Sequence, residues 1–138
     1  MQQIALFKWK DLYKVNVKRI DAEHKELVCI VNDLYSAKFQ GRGNSETEYI
    51  FTRLVEYVNT HFKTEEILME TYNYPGYKPH KIEHEQLASQ AIKLKCDIEN
   101  GKRVITIEIM DFLIKWLTQH ILGTDKKMGS FLNSKGLY

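Results

Sequence analysis

Apolar residues recur at three- and four-residue steps in four stretches of this chain, and glycine or proline breakers separate the stretches. Over residues 21–40 the stripe is Leu27, Val28, Val31, Leu34 and Tyr35, with Gly41 next as a candidate helix C-cap. A second helix is predicted from Ser45, which forms a capping-box pattern with Glu48. Leu54, Tyr57, Val58, Leu68 and Met69 mark its inner face, and the run Asn73, Tyr74, Pro75, Gly76 ends it. The third starts at Pro79, whose missing N–H is harmless in a first turn, and carries Leu87, Ala91, Leu94 and Ile98 up to Asn100 and Gly101. Residues 103–108 alternate like a strand, but no other stretch alternates well enough to pair with them. The helical reading is therefore preferred there. It makes Thr106 the N-cap of a helix to about Leu122, with Ile109, Leu113, Trp116 and Leu117 facing inward.

The first 18 residues contain Phe7, Trp9, Tyr13, Val15 and Val17 without helical spacing, which predicts an extended arm with Trp9 and Tyr13 packed over the helices. Residues 126–138 predict a short turn or helix around Lys126 to Met128 and then a tail. Helices of about 17–20 residues are ~25–30 Å long, and short loops favour antiparallel neighbours. The predicted fold is all-α: an up-down-up-down four-helix bundle in one domain. Its arm is 1–18, its bundle 19–125 and its C-terminal turn and tail 126–138.

Composition changes this picture little. With 138 residues, 43% hydrophobic and 28% charged, the chain is long enough for one core and too apolar for wholesale disorder. A net charge of +2 gives no reason to expect a nucleic acid or an anionic membrane as partner. No window approaches the ~18 apolar residues of a membrane span. No signal-peptide pattern is visible, so the cytoplasm is the expected location. Cys29 and Cys96 read as reduced thiols that pack away from the histidine faces, and no C-x-x-C-H indicates covalent haem.

The five histidines change it a great deal. His61 and Glu65 are four residues apart, as are His80 and His84. Four residues turn a helix through about 400°, so each pair shares one face. Each pair also lies on the apolar stripe of its helix, as does His24 ahead of Leu27, and His120 after Trp116 and Leu117. All four helices thus aim imidazole into a common apolar core. Unpaired, each such group would cost several kcal/mol, on the order of 2–7. A metal site satisfies them all, whereas a histidine hydrogen-bond network would need acceptors that the stripes lack. Asp125 is the remaining candidate. It follows His120 by five residues, and a regular helix would turn it about 140° away. A loosened turn at Gly123 would return it to the core.

The set Asp21-x-x-His24, His61-x-x-x-Glu65, His80-x-x-x-His84 and His120-x-x-x-x-Asp125 resembles the hemerythrin family, most of all its bacterial single-domain members. Trp9, Tyr13, Tyr74-Pro75 and Trp116-Leu117-x-x-His120-Ile121 support the resemblance, which covers nearly the whole chain. It implies a non-haem di-iron centre of two Fe ions with an oxo or hydroxo bridge. His80, His84 and His120 would bind one iron, His24 and His61 the other, and Glu65 and Asp125 would bridge them. Two octahedral ions offer about 12 positions, and these ligands with the bridge leave about one open, on the iron with two histidines. The function this implies is reversible O2 binding for storage, delivery or sensing, without enzymatic turnover. Trp116 and Leu117, about one turn before His120, are expected to wall the O2 pocket.

Other residues read more plainly. Asp21 serves either as an N-cap or as the orienter of a ligand histidine; Glu66, Lys126 and Lys127 face solvent. A competing reading is a di-iron enzyme reducing O2, peroxide or nitric oxide with a separate electron donor. Another is an iron- or oxygen-responsive interaction domain. The leading reading needs only a small uncharged gas as partner, with any reductase separate, and expects a monomer.

Overall fold

The computed structural model describes residues 7–102 and 104–138. Helix α1 spans Lys18–Phe39, α2 Asn44–Thr71, α3 Tyr77–Glu99 and α4 Ile107–His120. A five-residue π turn, Ile121–Asp125, then leads into α5, Lys126–Ser134. Helix α1 packs against α2 and α4, and α2 packs against α3. This is the expected all-α four-helix bundle, and among the described residues there is no strand. Residues 104–106 of the ambiguous stretch are non-helical and lead straight into α4; Arg103 lies outside the described residues.

The breakers act largely as their chemistry requires. Gly41 has φ of +79°, and the Arg42 N–H reaches back to the Ala37 carbonyl, a Schellman closure of α1. The Thr106 hydroxyl accepts the Ile109 N–H at 3.2 Å and caps α4 as expected. The capping box of α2 does not form. Its N-cap is Gly43 and makes no side-chain cap bond, while the buried Thr47 hydroxyl donates to the Gly43 carbonyl. Pro79 is the third residue of α3 and not the first, still inside the turn whose N–H groups have no helical acceptor.

The arm, of which residues 1–6 lie outside the described residues, crosses the bundle with one 3₁₀ turn at Asp11–Tyr13. Asn32 pins it by a two-way bond to the Phe7 backbone, and Phe7, Tyr13, Val15 and Val17 are buried. The Trp9 ring meets Tyr13 edge-on at 5.5 Å. Asp21, in the first turn of α1, neither caps that helix nor touches a histidine. It accepts the N–H groups of Val15 at 2.8 Å and Asn16 at 3.2 Å, so it holds the arm.

The C-terminal residues form the nine-residue α5, longer than the expected short turn or helix around Lys126 to Met128. Met128 and Leu132 give it an apolar stripe, which packs with Val15, Val17, Ile20 and Met69 into a small second core. The main core lies on the other side and is built from Leu27, Leu34, Phe51, Leu54, Leu113 and Leu117 among others. Between these two apolar masses each helix carries its histidines. A polar layer is thereby sealed on both sides. Cys29 and Cys96 are free thiols as expected, but both are exposed rather than packed.

Candidate metal centre

The seven residues singled out from the sequence converge in that layer. His24, His61, Glu65, His80, His84, His120 and Asp125 are all buried, none more than 3% exposed. They come from α1, α2, α3, α4 and the π turn. The π turn answers the question left by Asp125. Its i to i+5 pattern needs five residues to regain the same face, which is the separation of His120 and Asp125.

The two carboxylates sort the histidines into two sets. Glu65 Oε1 lies 2.9 Å from His84 Nε2, 3.3 Å from His80 Nε2 and 3.7 Å from His120 Nε2. Its Oε2 lies 3.0 Å from His61 Nε2 and 3.4 Å from His24 Nε2. Asp125 repeats the division: Oδ1 is 3.0 Å from both His80 and His120, and Oδ2 is 3.0 Å from His24. Two donor groups result, Glu65–His80–His84–His120–Asp125 and His24–His61–Glu65–Asp125. They share both carboxylates, one oxygen to each side.

Three supporting acids, which the sequence reading missed, fix the ring orientation. Glu23 Oε1 accepts from His61 Nδ1 at 2.6 Å, Glu66 Oε2 from His84 Nδ1 at 2.9 Å and Glu83 Oε1 from His120 Nδ1 at 2.8 Å. Ionised carboxylates only accept, so the proton sits on each Nδ1 and the Nε2 lone pair points into the layer. Glu66 therefore does not simply face solvent. Its neighbour Glu65 supplies the signal that was available, for each supporting acid is one residue from a buried donor: Glu23 before His24, Glu66 after Glu65, Glu83 before His84. One residue is about 100° of helix rotation, enough to point the acid sideways at the next helix. The acids run in chain order, from α1 to α2, α2 to α3 and α3 to α4. Phe62, also missed, lies flat on the His84 ring with centroids 3.9 Å apart.

The donor set fits a pair of metal ions. His24 Nε2, His61 Nε2, His80 Nε2, Glu65 Oε2 and both Asp125 oxygens are buried without a well-directed hydrogen bond, although acceptor and ring nitrogen stand near 3.0 Å. Their lone pairs aim at shared points rather than at one another. Cis donors on an octahedral ion with bonds near 2.1 Å stand about 3.0 Å apart, the spacing seen here. Without metal, protons must fill the role. Burial alone would push the His61 ring down, but Glu65 and Glu23 lift it to about 10. His24, His80 and His120 are likewise raised against the effect of burial, by the close carboxylates of Asp125 and Glu65. Burial works to raise Glu65 and Asp125, yet the surrounding imidazoles hold both below the ordinary carboxylate range.

The family model of the hemerythrin HHE cation binding domain matches residues 15–132. The chain belongs to the hemerythrin family. A bacteriohemerythrin of Methylococcus capsulatus is 30% identical over 132 residues, 95% of this chain and 100% of that protein. The Myohemerythrin-1 of Phascolopsis gouldii is 29% identical over 119 residues, 86% of this chain and 88% of that one. A crystal structure of wild-type hemerythrin superposes with a TM-score of 0.87 at 31% identity, covering 93% of this chain and 98% of the other. Among the described residues no helix is long and apolar enough to cross a membrane.

Trp116 and Leu117 are both buried in the main core just before His120. The Trp116 ring stands 6.3 Å from Phe62. Trp116 lines a surface groove of about 440 Å³ with Glu83, Phe112, Gln119 and His120.

Proposed function

We propose that this protein binds O2 reversibly at a di-iron centre, with His80, His84 and His120 on one iron, His24 and His61 on the other, and Glu65 and Asp125 shared. The observation that carries this reading is the unequal division of the histidines by two carboxylates, each giving one oxygen to each side. One position is thereby one imidazole short of the other. When bound, a reduced iron pair would supply the electrons for O2 uptake.

The chain's own residues do the rest. Glu65 and Asp125 hold the two positions at a fixed separation. Glu23, Glu66 and Glu83 keep three imidazoles in the tautomer that offers Nε2. Leu117 and Trp116 keep water and protons from the buried layer. Five neutral imidazoles to two carboxylates favour binding over oxidation of a substrate, because neutral donors do little to stabilise high-valent iron. The carboxylate-rich di-iron sites of ferritin-like proteins have the opposite balance.

The test is anaerobic loading with Fe(II), metal analysis and then air. Two irons per chain and visible charge-transfer bands that fade on deoxygenation are expected. A protein that takes up zinc alone and stays colourless overturns the reading. Bands that decay at once, with turnover on added reductant, would favour an oxidase.

A further inference from the structure

The supporting acids do more than orient rings. Glu23 gives its second oxygen, Oε2, to the Thr64 hydroxyl at 3.2 Å. Glu83 gives its Oε2 to the Thr124 hydroxyl at 2.6 Å. Thr64 directly precedes Glu65, and Thr124 directly precedes Asp125. The same arrangement therefore occurs twice. A glutamate on one helix grips a histidine ring with one oxygen. With the other it grips the threonine beside a shared carboxylate.

We propose that Glu23 with Thr64, and Glu83 with Thr124, are two matching clamps, each fixing one histidine and the bridging carboxylate that follows its threonine. The inference rests on the di-metal reading above. Thr64, Thr124, Glu23 and Glu83 are positioning residues and touch no metal.

The two clamps carry different loads. Helix α2 is regular around Thr64, and that hydroxyl shares its hydrogen with the Thr60 carbonyl at 3.3 Å, so Glu65 is already placed by the helix. Thr124 stands inside the π turn, where the ordinary four-residue ladder is interrupted. There the turn must be held from outside if Asp125 is to face the layer. Glu83 supplies that hold from α3, with a short bond, and reaches His120 at the start of the same turn. One carboxylate thus spans both ends of the irregular segment. Its bonds to His120 and Thr124 also keep the Glu83 carboxyl low despite partial burial.

Threonine-to-valine exchange removes the hydroxyl and keeps the shape, while threonine-to-serine keeps the hydroxyl. Wild type, Thr124→Val, Thr124→Ser and Thr64→Val are loaded anaerobically with Fe(II) and challenged with ferrozine. Loss of such an outer partner typically weakens a metal site by about 10–100-fold. Thr124→Val is expected to release iron faster by about that factor, Thr124→Ser to stay near wild type, and Thr64→Val to change less. Amide exchange of the metal-free protein should quicken in Ile121–Asp125 for Thr124→Val and not in the body of α1 or α2. That measurement needs no bound metal. Far-UV circular dichroism checks that each variant folds.

A wild-type chain holding two irons beside a Thr124→Val variant that releases them at the same rate overturns the clamp alone. So does unchanged exchange across the π turn. A wild-type chain that cannot hold two irons overturns the proposed function and this inference with it.

Discussion

Shared carboxylates make a prediction about stoichiometry that separates Glu65 from every histidine. Glu65 has Oε2 toward His24 and His61 and Oε1 toward His80, His84 and His120. Truncation to alanine removes one donor from each position at once. His24 touches only the two-histidine side, so His24→Ala removes one donor from one position. A four-donor structural zinc site is worth about 10–16 kcal/mol, so one donor is worth about 3 kcal/mol, or roughly 100-fold in affinity. Glu65→Ala should therefore weaken both irons about 100-fold. His24→Ala should leave one iron near wild-type affinity and weaken the other by that factor. The assay is anaerobic Fe(II) titration against a competing chelator, with iron counted per chain after gel filtration and helix content followed in parallel. Equal loss of both irons from His24→Ala, or one iron kept at full affinity by Glu65→Ala, would show that the carboxylate is not shared.

Other predictions address scaffold, charge and pocket. In the metal-free protein the raised histidines stabilise the fold fully below the ordinary pKa near 6.5, and this is lost as pH climbs toward about 10, the value for His61. The lowered Glu65 and Asp125 stabilise it above the usual carboxylate range and lose that as pH falls. Tm without metal should thus peak between about pH 5 and 6.5 and decline toward 9, and Fe(II) uptake at pH 7 should release protons into a weak buffer; a flat Tm and no proton release refute the coupling. Gly129 on α5 leaves no room for a Cβ, which would stand 2.5 Å from the Val15 carbonyl oxygen and 2.8 Å from its Cβ. Gly129→Ala should lower Tm by roughly 3–12 °C despite alanine's better helix propensity, since overpacking costs about 1–3 kcal/mol; a raised Tm would show that the arm moves aside freely. Leu117→Ala should destabilise by about 2–5 kcal/mol and speed loss of the oxygenated spectrum in air, and an unchanged decay rate removes Leu117 from the pocket.

The stripes, their breakers and the donors placed on them were legible in the sequence because helical periodicity is local. His61 and Glu65 share a face of α2, and His80 and His84 share a face of α3, whatever the helices pack against. The same locality explains the bundle and the Thr106 cap. It explains the misses too. Ser45 and Glu48 form a capping-box pattern, but Gly43 begins the helix first. Met128 and Leu132 are too few to announce the full length of α5 until Val15, Ile20 and Met69 are found beneath them.

By itself, then, the sequence determined that four amphipathic helices would bury five imidazoles and at least one carboxylate in a common layer. Asp125 was a candidate only if a loosened turn at Gly123 brought it back, because five residues do not return to one face of an α-helix; the packed bundle makes that loosened turn a π turn. The three-to-two division was expected from the family resemblance alone, and no spacing within the chain carries it. Which oxygen of Glu65 meets which ring depends on the azimuth of each helix in the bundle, and no spacing within one helix records that angle. The supporting acids make the same point. Glu23, Glu66 and Glu83 each point sideways off their own helix, and what lies sideways is settled by the neighbour that packs there.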